Sequence, residues 1–96
     1  MKKQLNPLLR SNLITTFNSL LLNTNIRYIS YKRLVQHYFR LGFFLDNMED
    51  VTFSRVASAF LEEMENKNYI RLSLIRQRRK FYEFIDRTKV FEDVDS

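Results

Sequence analysis

Between residues 7 and 22 the apolar positions Leu9, Leu13, Phe17, Leu20 and Leu21 fall at the spacing of one face of an α-helix. Asn6 and Pro7 read as its N-cap and first turn: Asn can accept from the orphan amides, and Pro at that position forfeits no hydrogen bond. Asn23-Thr24-Asn25 stops the run, and the β-branched and aromatic stretch Ile26 to Ile29 predicts one short strand. Ser30 then caps a second helix over 31–41, with Tyr31, Leu34, Val35 and Tyr38 on its inward face and Gly42 in the left-handed position that ends it. Phe43, Phe44 and Leu45 are apolar but lie beyond that stop, with Phe43 and Phe44 read as plugs of the core beneath the following loop, and the acidic, turn-prone segment Asp46 to Asp50 comes next. Thr52 or Ser54 is expected to cap a third helix that turns Val56, Ala57, Phe60, Leu61 and Met64 inward and ends around Asn66-Lys67-Asn68.

From Tyr69 the period changes from helical to two, with Ile70, Leu72 and Leu74 alternating with Arg71 and Ser73. Arg76-Gln77-Arg78-Arg79-Lys80 interrupts, and the aromatic stretch Phe81 to Ile85 follows, so the segment reads as a β-hairpin with a basic tip. A helix through Arg76 to Asp86 is the competing reading, because Arg, Gln, Lys and Glu form helices well and the tip lacks the Gly or Asn of tight hairpins. The expected fold is mainly α with a small β-hairpin, of the α+β class. It divides into a flexible N-terminus over 1–5, one domain over 6–86 and an acidic C-terminal tail over 87–96.

The chain has 96 residues, enough for one hydrophobic core, and its nine Phe and five Tyr supply the apolar bulk to fill it. Absence of Cys removes disulfides, thiol nucleophiles and thiolate metal sites, and fits a reducing compartment, so cytoplasm or nucleus is the expected location. The longest nearly apolar stretch, Leu41 to Leu45, is far short of the roughly 20 residues a bilayer span requires. No membrane association is expected, since the polar side of the first helix is Ser, Thr and Asn rather than Lys and Arg.

Catalytic constellations are missing from the pattern. A single Gly cannot build a phosphate-cradling loop, and His37, the one imidazole, has no Cys or second His with which to hold zinc. Glu62, Glu63 and Glu65 on the third helix and Asp46, Glu49 and Asp50 in the loop lack the spacing of a calcium hand. The reading is a non-enzyme with no metal, no cofactor and no small-molecule substrate.

The net charge of +5 favours polyanionic partners, and it is distributed unevenly. Seven basic residues against two acidic ones lie between Tyr69 and Lys89, and four of the seven fall within Arg76 to Lys80. A hairpin tip of this composition can reach phosphates or enter a minor groove, each neutralised phosphate releasing counterions.

Helix, short strand, helix, helix, hairpin is an order that resembles the winged helix-turn-helix superfamily, three helices plus a wing, over roughly Asn6 to Asp86. Tyr31 to Tyr38, Val51-Thr52-Phe53-Ser54, Phe60-Leu61-Glu62-Glu63-Met64 and Asn68-Tyr69-Ile70-Arg71-Leu72 are loosely similar to the C-terminal winged-helix domain of origin-recognition and initiator ATPases. The resemblance implies a DNA-binding module of replication or transcription regulation, with Thr52, Ser54, Arg55 and Ser58 of the third helix facing double-stranded DNA. Against that frame, the acidic outward residues Glu62, Glu63 and Glu65 disfavour lengthwise insertion of this helix into the major groove. The ten residues from Gly42 to Val51 also exceed the usual three or four of a helix-turn-helix turn. The expected contact set therefore centres on the wing, Arg76, Arg78, Arg79 and Lys80, with Lys32, Arg33 and Arg40 of the second helix, acting on the phosphate backbone. The other class of function is a winged helix used for protein interaction or homodimerisation, motivated by a surplus of aromatic residues, Phe39, Phe43, Phe44, Phe81 and Phe91, over inward-facing positions.

Overall fold

A computed structural model describes residues 7–44 and 50–93 of the chain. Its elements run α1 (Pro7–Leu22), β1 (Tyr28–Ile29), α2 (Tyr31–Arg40), α3 (Asp50–Asn66), β2 (Ile70–Arg76) and β3 (Arg79–Phe84). The expected Asn6 cap and most of the acidic loop, from Asp46 to Glu49, lie outside the described residues.

The apolar stripe of α1 is the spine of the core. Leu13, Phe17, Leu20 and Leu21 are all buried, and the Phe17 ring is ringed by Phe60 at 5.8 Å, Phe84 at 5.6 Å and Tyr69 at 6.5 Å. Truncating a fully buried Phe of this kind costs about 3–5 kcal/mol. The other two helices therefore gather round α1 and the inner face of a small sheet, an α+β arrangement compatible with a winged-helix layout.

The sheet is antiparallel in the order β1-β3-β2, so β3 is central. Ile29 stands opposite Tyr82, and Ile70 opposite Phe84, on the face turned to the helices. Of the stretch Ile26 to Ile29, only Tyr28–Ile29 pairs as strand. The hairpin reading, not the helix, holds: β2 and β3 pair up to Arg76 opposite Arg79, and the tip narrows to Gln77 and Arg78. Both tip residues have positive φ, 52° and 68°, the backbone of a two-residue primed turn built without the Gly or Asn that takes it most easily. A one-residue irregularity at Ser73 shifts the register between Leu72 and Leu74.

Helix ends follow local chemistry. The Ser30 hydroxyl accepts a hydrogen bond from the Arg33 amide at 3.2 Å, capping α2. At the other end Gly42 has φ 94°, its amide donates to the Phe39 carbonyl and the Phe43 amide to that of Tyr38, a closure sealed by the Phe43 ring 5.1 Å from Tyr38. Asn68, at φ 66°, repeats this device after α3, where the Tyr69 amide donates to the Met64 carbonyl. The start of α3 differs from expectation: the helix begins at Asp50, so Thr52 falls in its first turn and Ser54 in its second, rather than capping it. The buried Phe53, 5.0 Å from the Tyr38 ring, draws this extra turn into the helix because packing outweighs the capping preference.

Residues beyond the hairpin form a strap along α1. Asn18 brackets the backbone of Phe91, and the Phe91 ring is buried against Tyr69 and Phe60. The Arg87 guanidinium donates to the carbonyls of Leu21, Asn23 and Ile26, supplying the cation that the last turn of α1 lacks. Arg10 joins the start of α1 to both α3 and the strap, forking onto Glu63 at 2.7 and 2.9 Å and reaching Asp93 at 2.7 Å. Arg10 is thereby held more firmly protonated, chiefly by the hydrogen bonds to Glu63 and then Asp93. Among the described residues, no helix is long and apolar enough to cross a membrane.

Candidate nucleic-acid interface

The start of α2, the exposed side of α3 and the hairpin tip enclose a groove of about 950 Å³. The Ser30 cap fixes where α2 begins, and so places Lys32 on one wall. The second wall is α3, contributing Arg55 and Ser58 at helical spacing. The third is the hairpin, whose tight turn brings Arg78, Arg79 and Lys80 to the same opening. Five cations from three elements thus line one concavity.

The groove is not uniformly basic. Glu62 and Glu65 of α3 also line it, as does the buried Tyr82. The Tyr82 phenol is pushed up, first by burial and then by the neighbouring charges of Glu65 and Glu62. Glu63, expected outward with them, instead turns to the opposite side, where Arg10 and Lys67 hold it; its pKa falls from 4.5 to about 2, mainly through the Arg10 hydrogen bonds.

Of the residues singled out in the sequence, Lys32, Arg55, Ser58, Arg78, Arg79 and Lys80 come together in the groove. Arg33, Arg40, Arg76, Thr52 and Ser54 do not line it. Arg33 and Arg40 are exposed on α2; Arg76 lies at the root of the turn, cross-strand from Arg79; Thr52 is exposed and Ser54 half-buried at the start of α3. Tyr31 and Gln36 are groove residues that the pattern did not mark. Its spacing from Leu34 and Val35 places Tyr31 inward, but it is 37% exposed and lines the groove instead. A signal for both was available: Tyr31, Lys32, Val35 and Gln36 share one helical stripe leading away from the Ser30 cap.

His37 is a joint between helices. Its Nε2 lies 2.8 Å from the Ser19 hydroxyl of α1, and its pKa is lowered by burial and then by Arg40 and Arg33, which favours the neutral ring. Phe43 packs against the core as expected of a plug, whereas Phe44 is 78% exposed.

Comparison with protein-family models, curated proteins and solved structures finds no match to this chain.

Proposed function

We propose that the protein is a non-catalytic winged-helix DNA-binding module that grips the phosphate backbone of a duplex between its wing and the N-terminus of α2. One observation carries the reading: Lys32, Arg55, Arg78, Arg79 and Lys80 converge on a single groove from separate elements. Solvated charge scattered for solubility has no reason to converge, whereas a backbone carrying one charge every few ångströms rewards it. Glu62 and Glu65 repel phosphates from the C-terminal half of α3, so the duplex is held on the side of Arg55 and the wing, and phosphate contacts outweigh base reading. The setting is intracellular, in replication or transcription control.

The test is an anisotropy titration of a labelled duplex at two salt concentrations. Four to five neutralised phosphates give a log-log salt slope of about −4. Replacing Arg78, Arg79 and Lys80 together by Ala removes most of the affinity; an unchanged affinity in that variant overturns the reading.

A second reading, a winged module that binds protein or a copy of itself, draws on Phe39 and Phe44, exposed by 43% and 78% near the end of α2. Solution mass across concentration separates the two. A strict monomer that binds duplex keeps the first, and a salt-insensitive dimer supports the second.

A further inference from the structure

The side of the sheet turned away from the helices carries its own chemistry. Register fixes which residues share it: Tyr28 of β1 stands opposite Glu83 of β3, which stands opposite Arg71 of β2, and one row on Phe81 stands opposite Leu74. Tyr28 and Phe81 meet edge to face with centroids 6.4 Å apart, and both remain partly exposed, while Leu74 is 37% exposed. An open antiparallel face normally alternates to polar residues. Here it keeps two aromatic rings side by side on neighbouring strands.

Arginines frame the rings. The Arg27 guanidinium lies 5.2 Å from the Tyr28 centroid, with the side chain 75% exposed; Arg71 is 71% exposed, and Arg76 follows Leu74 on the same side. Glu83 is the one acidic side chain in these rows, and Arg27 and Arg71 already approach it at 3.3 and 3.7 Å. The face therefore combines π-surfaces with a surplus of positive charge. Duplex bases are stacked on one another and offer only their edges, whereas unpaired bases offer their flat faces to aromatic side chains and their phosphates to arginine.

From this juxtaposition we propose that the outer face of the sheet is a second binding site, for single-stranded nucleic acid, with bases stacking on Tyr28 and Phe81 and phosphates held by Arg27, Arg71 and Arg76. The rings lie on the opposite side of the sheet from the groove residues Lys80 and Tyr82, Arg79 at the tip pairs across from Arg76 and adjoins both sites, and the proposal does not depend on the duplex reading.

The probe is a labelled oligothymidine of about ten nucleotides, within the usual footprint of such platforms. The wild-type protein binds it. Tyr28→Leu and Phe81→Leu, which keep apolar bulk but remove the ring, each weaken that binding about fivefold or more, and Tyr28→Phe restores it. The same variants leave duplex affinity within about twofold, while loss of Arg78 and Lys80, without Arg79, spares most oligothymidine binding. Should the Leu variants melt in far-UV circular dichroism, the exposed pair Arg27→Ala and Arg71→Ala takes their place, with a combined loss of about tenfold expected. No binding by the wild type, or an affinity indifferent to both sets of variants, overturns the proposal. So does complete displacement of oligothymidine by duplex in the Arg78, Arg79, Lys80 variant's parent, since both ligands then share the groove. A solution dimer abolished by Tyr28→Leu also overturns it, because a second copy then covers the face. Duplex binding without oligothymidine binding leaves the groove reading intact and removes this one.

Discussion

Asn18 holds Phe91 by both of its backbone polar groups: its Nδ2 donates to the Phe91 carbonyl and its Oδ1 accepts from the Phe91 amide, each at 2.9 Å. A side-chain amide here does what a neighbouring strand does elsewhere, satisfying a peptide unit while its ring enters the core. Asn18→Ala removes both hydrogen bonds and leaves part-buried groups without partners, a loss of about 2 kcal/mol. Phe91→Ala costs about 3 kcal/mol, because the vacated space lies between Phe60 and Tyr69. Thermal melting checks both. The double variant falls well short of additive if Asn18 acts mainly by seating Phe91.

Acid destabilises the fold in two steps. His37 has a lowered pKa in the folded state, so the stability its neutral ring contributes is fully present above its ordinary value of 6.5 and is lost as pH falls below that value and through the lowered folded-state one. Glu63 drops from 4.5 to about 2, so its contribution is present above 4.5 and is lost as pH falls toward 2. Urea midpoints measured against pH show both limbs; His37→Gln flattens the upper and Glu63→Gln the lower. The Glu63 change costs about 1 kcal/mol at neutral pH, since the ion pair with Arg10 is only partly shielded from water.

The hairpin tip places side chains where glycine would be easier. Gln77→Asn and Arg78→Gly relax the positive φ angles and raise stability by about 0.5–1 kcal/mol each. Arg78→Gly at the same time weakens duplex binding by about fivefold and lowers its salt slope by about 1. A variant that gains stability and keeps its affinity removes Arg78 from the contact set.

Glu62 faces the groove among cations, so Glu62→Gln tightens duplex binding by about threefold at low salt, an effect that fades as salt rises. Glu63→Gln leaves binding unchanged, because its carboxylate is turned to Arg10 on the other side of α3. Titrating the pair side by side distinguishes local charge in the groove from net charge.

The elements themselves were legible in the chain. The stripe from Leu9 to Leu21, the stop at Gly42 and the period-two run after Tyr69 all appear in the fold, since each rests on local backbone chemistry or on one buried face. The cluster Lys32, Arg55, Arg78, Arg79 and Lys80 was legible as composition, and the groove that unites it required the hairpin to fold back over α3. Long-range pairings escaped the pattern. Arg87 gives no sign in sequence that it will close the end of α1, and Glu63 looks like its neighbours Glu62 and Glu65 until Arg10 arrives from α1. Thr52 and Ser54 misled because they are good caps locally, whereas the start of α3 is decided by where Phe53 meets Tyr38. Phe43 and Phe44 are alike in sequence, and only the reversal after Gly42 sends one inward and the other out.

The strap along α1 also bears on how fast the chain leaves its native state. Residues 18 and 91 meet across 73 positions, and the Arg10 to Asp93 pair spans 83, so these contacts close after the helices and the hairpin have formed. Contacts made that late are absent from the folding barrier and present in the native basin. Substitutions at Asn18, Arg87 or Phe91 therefore speed unfolding while leaving the refolding rate nearly unchanged, and the strap acts as the kinetic latch of the domain.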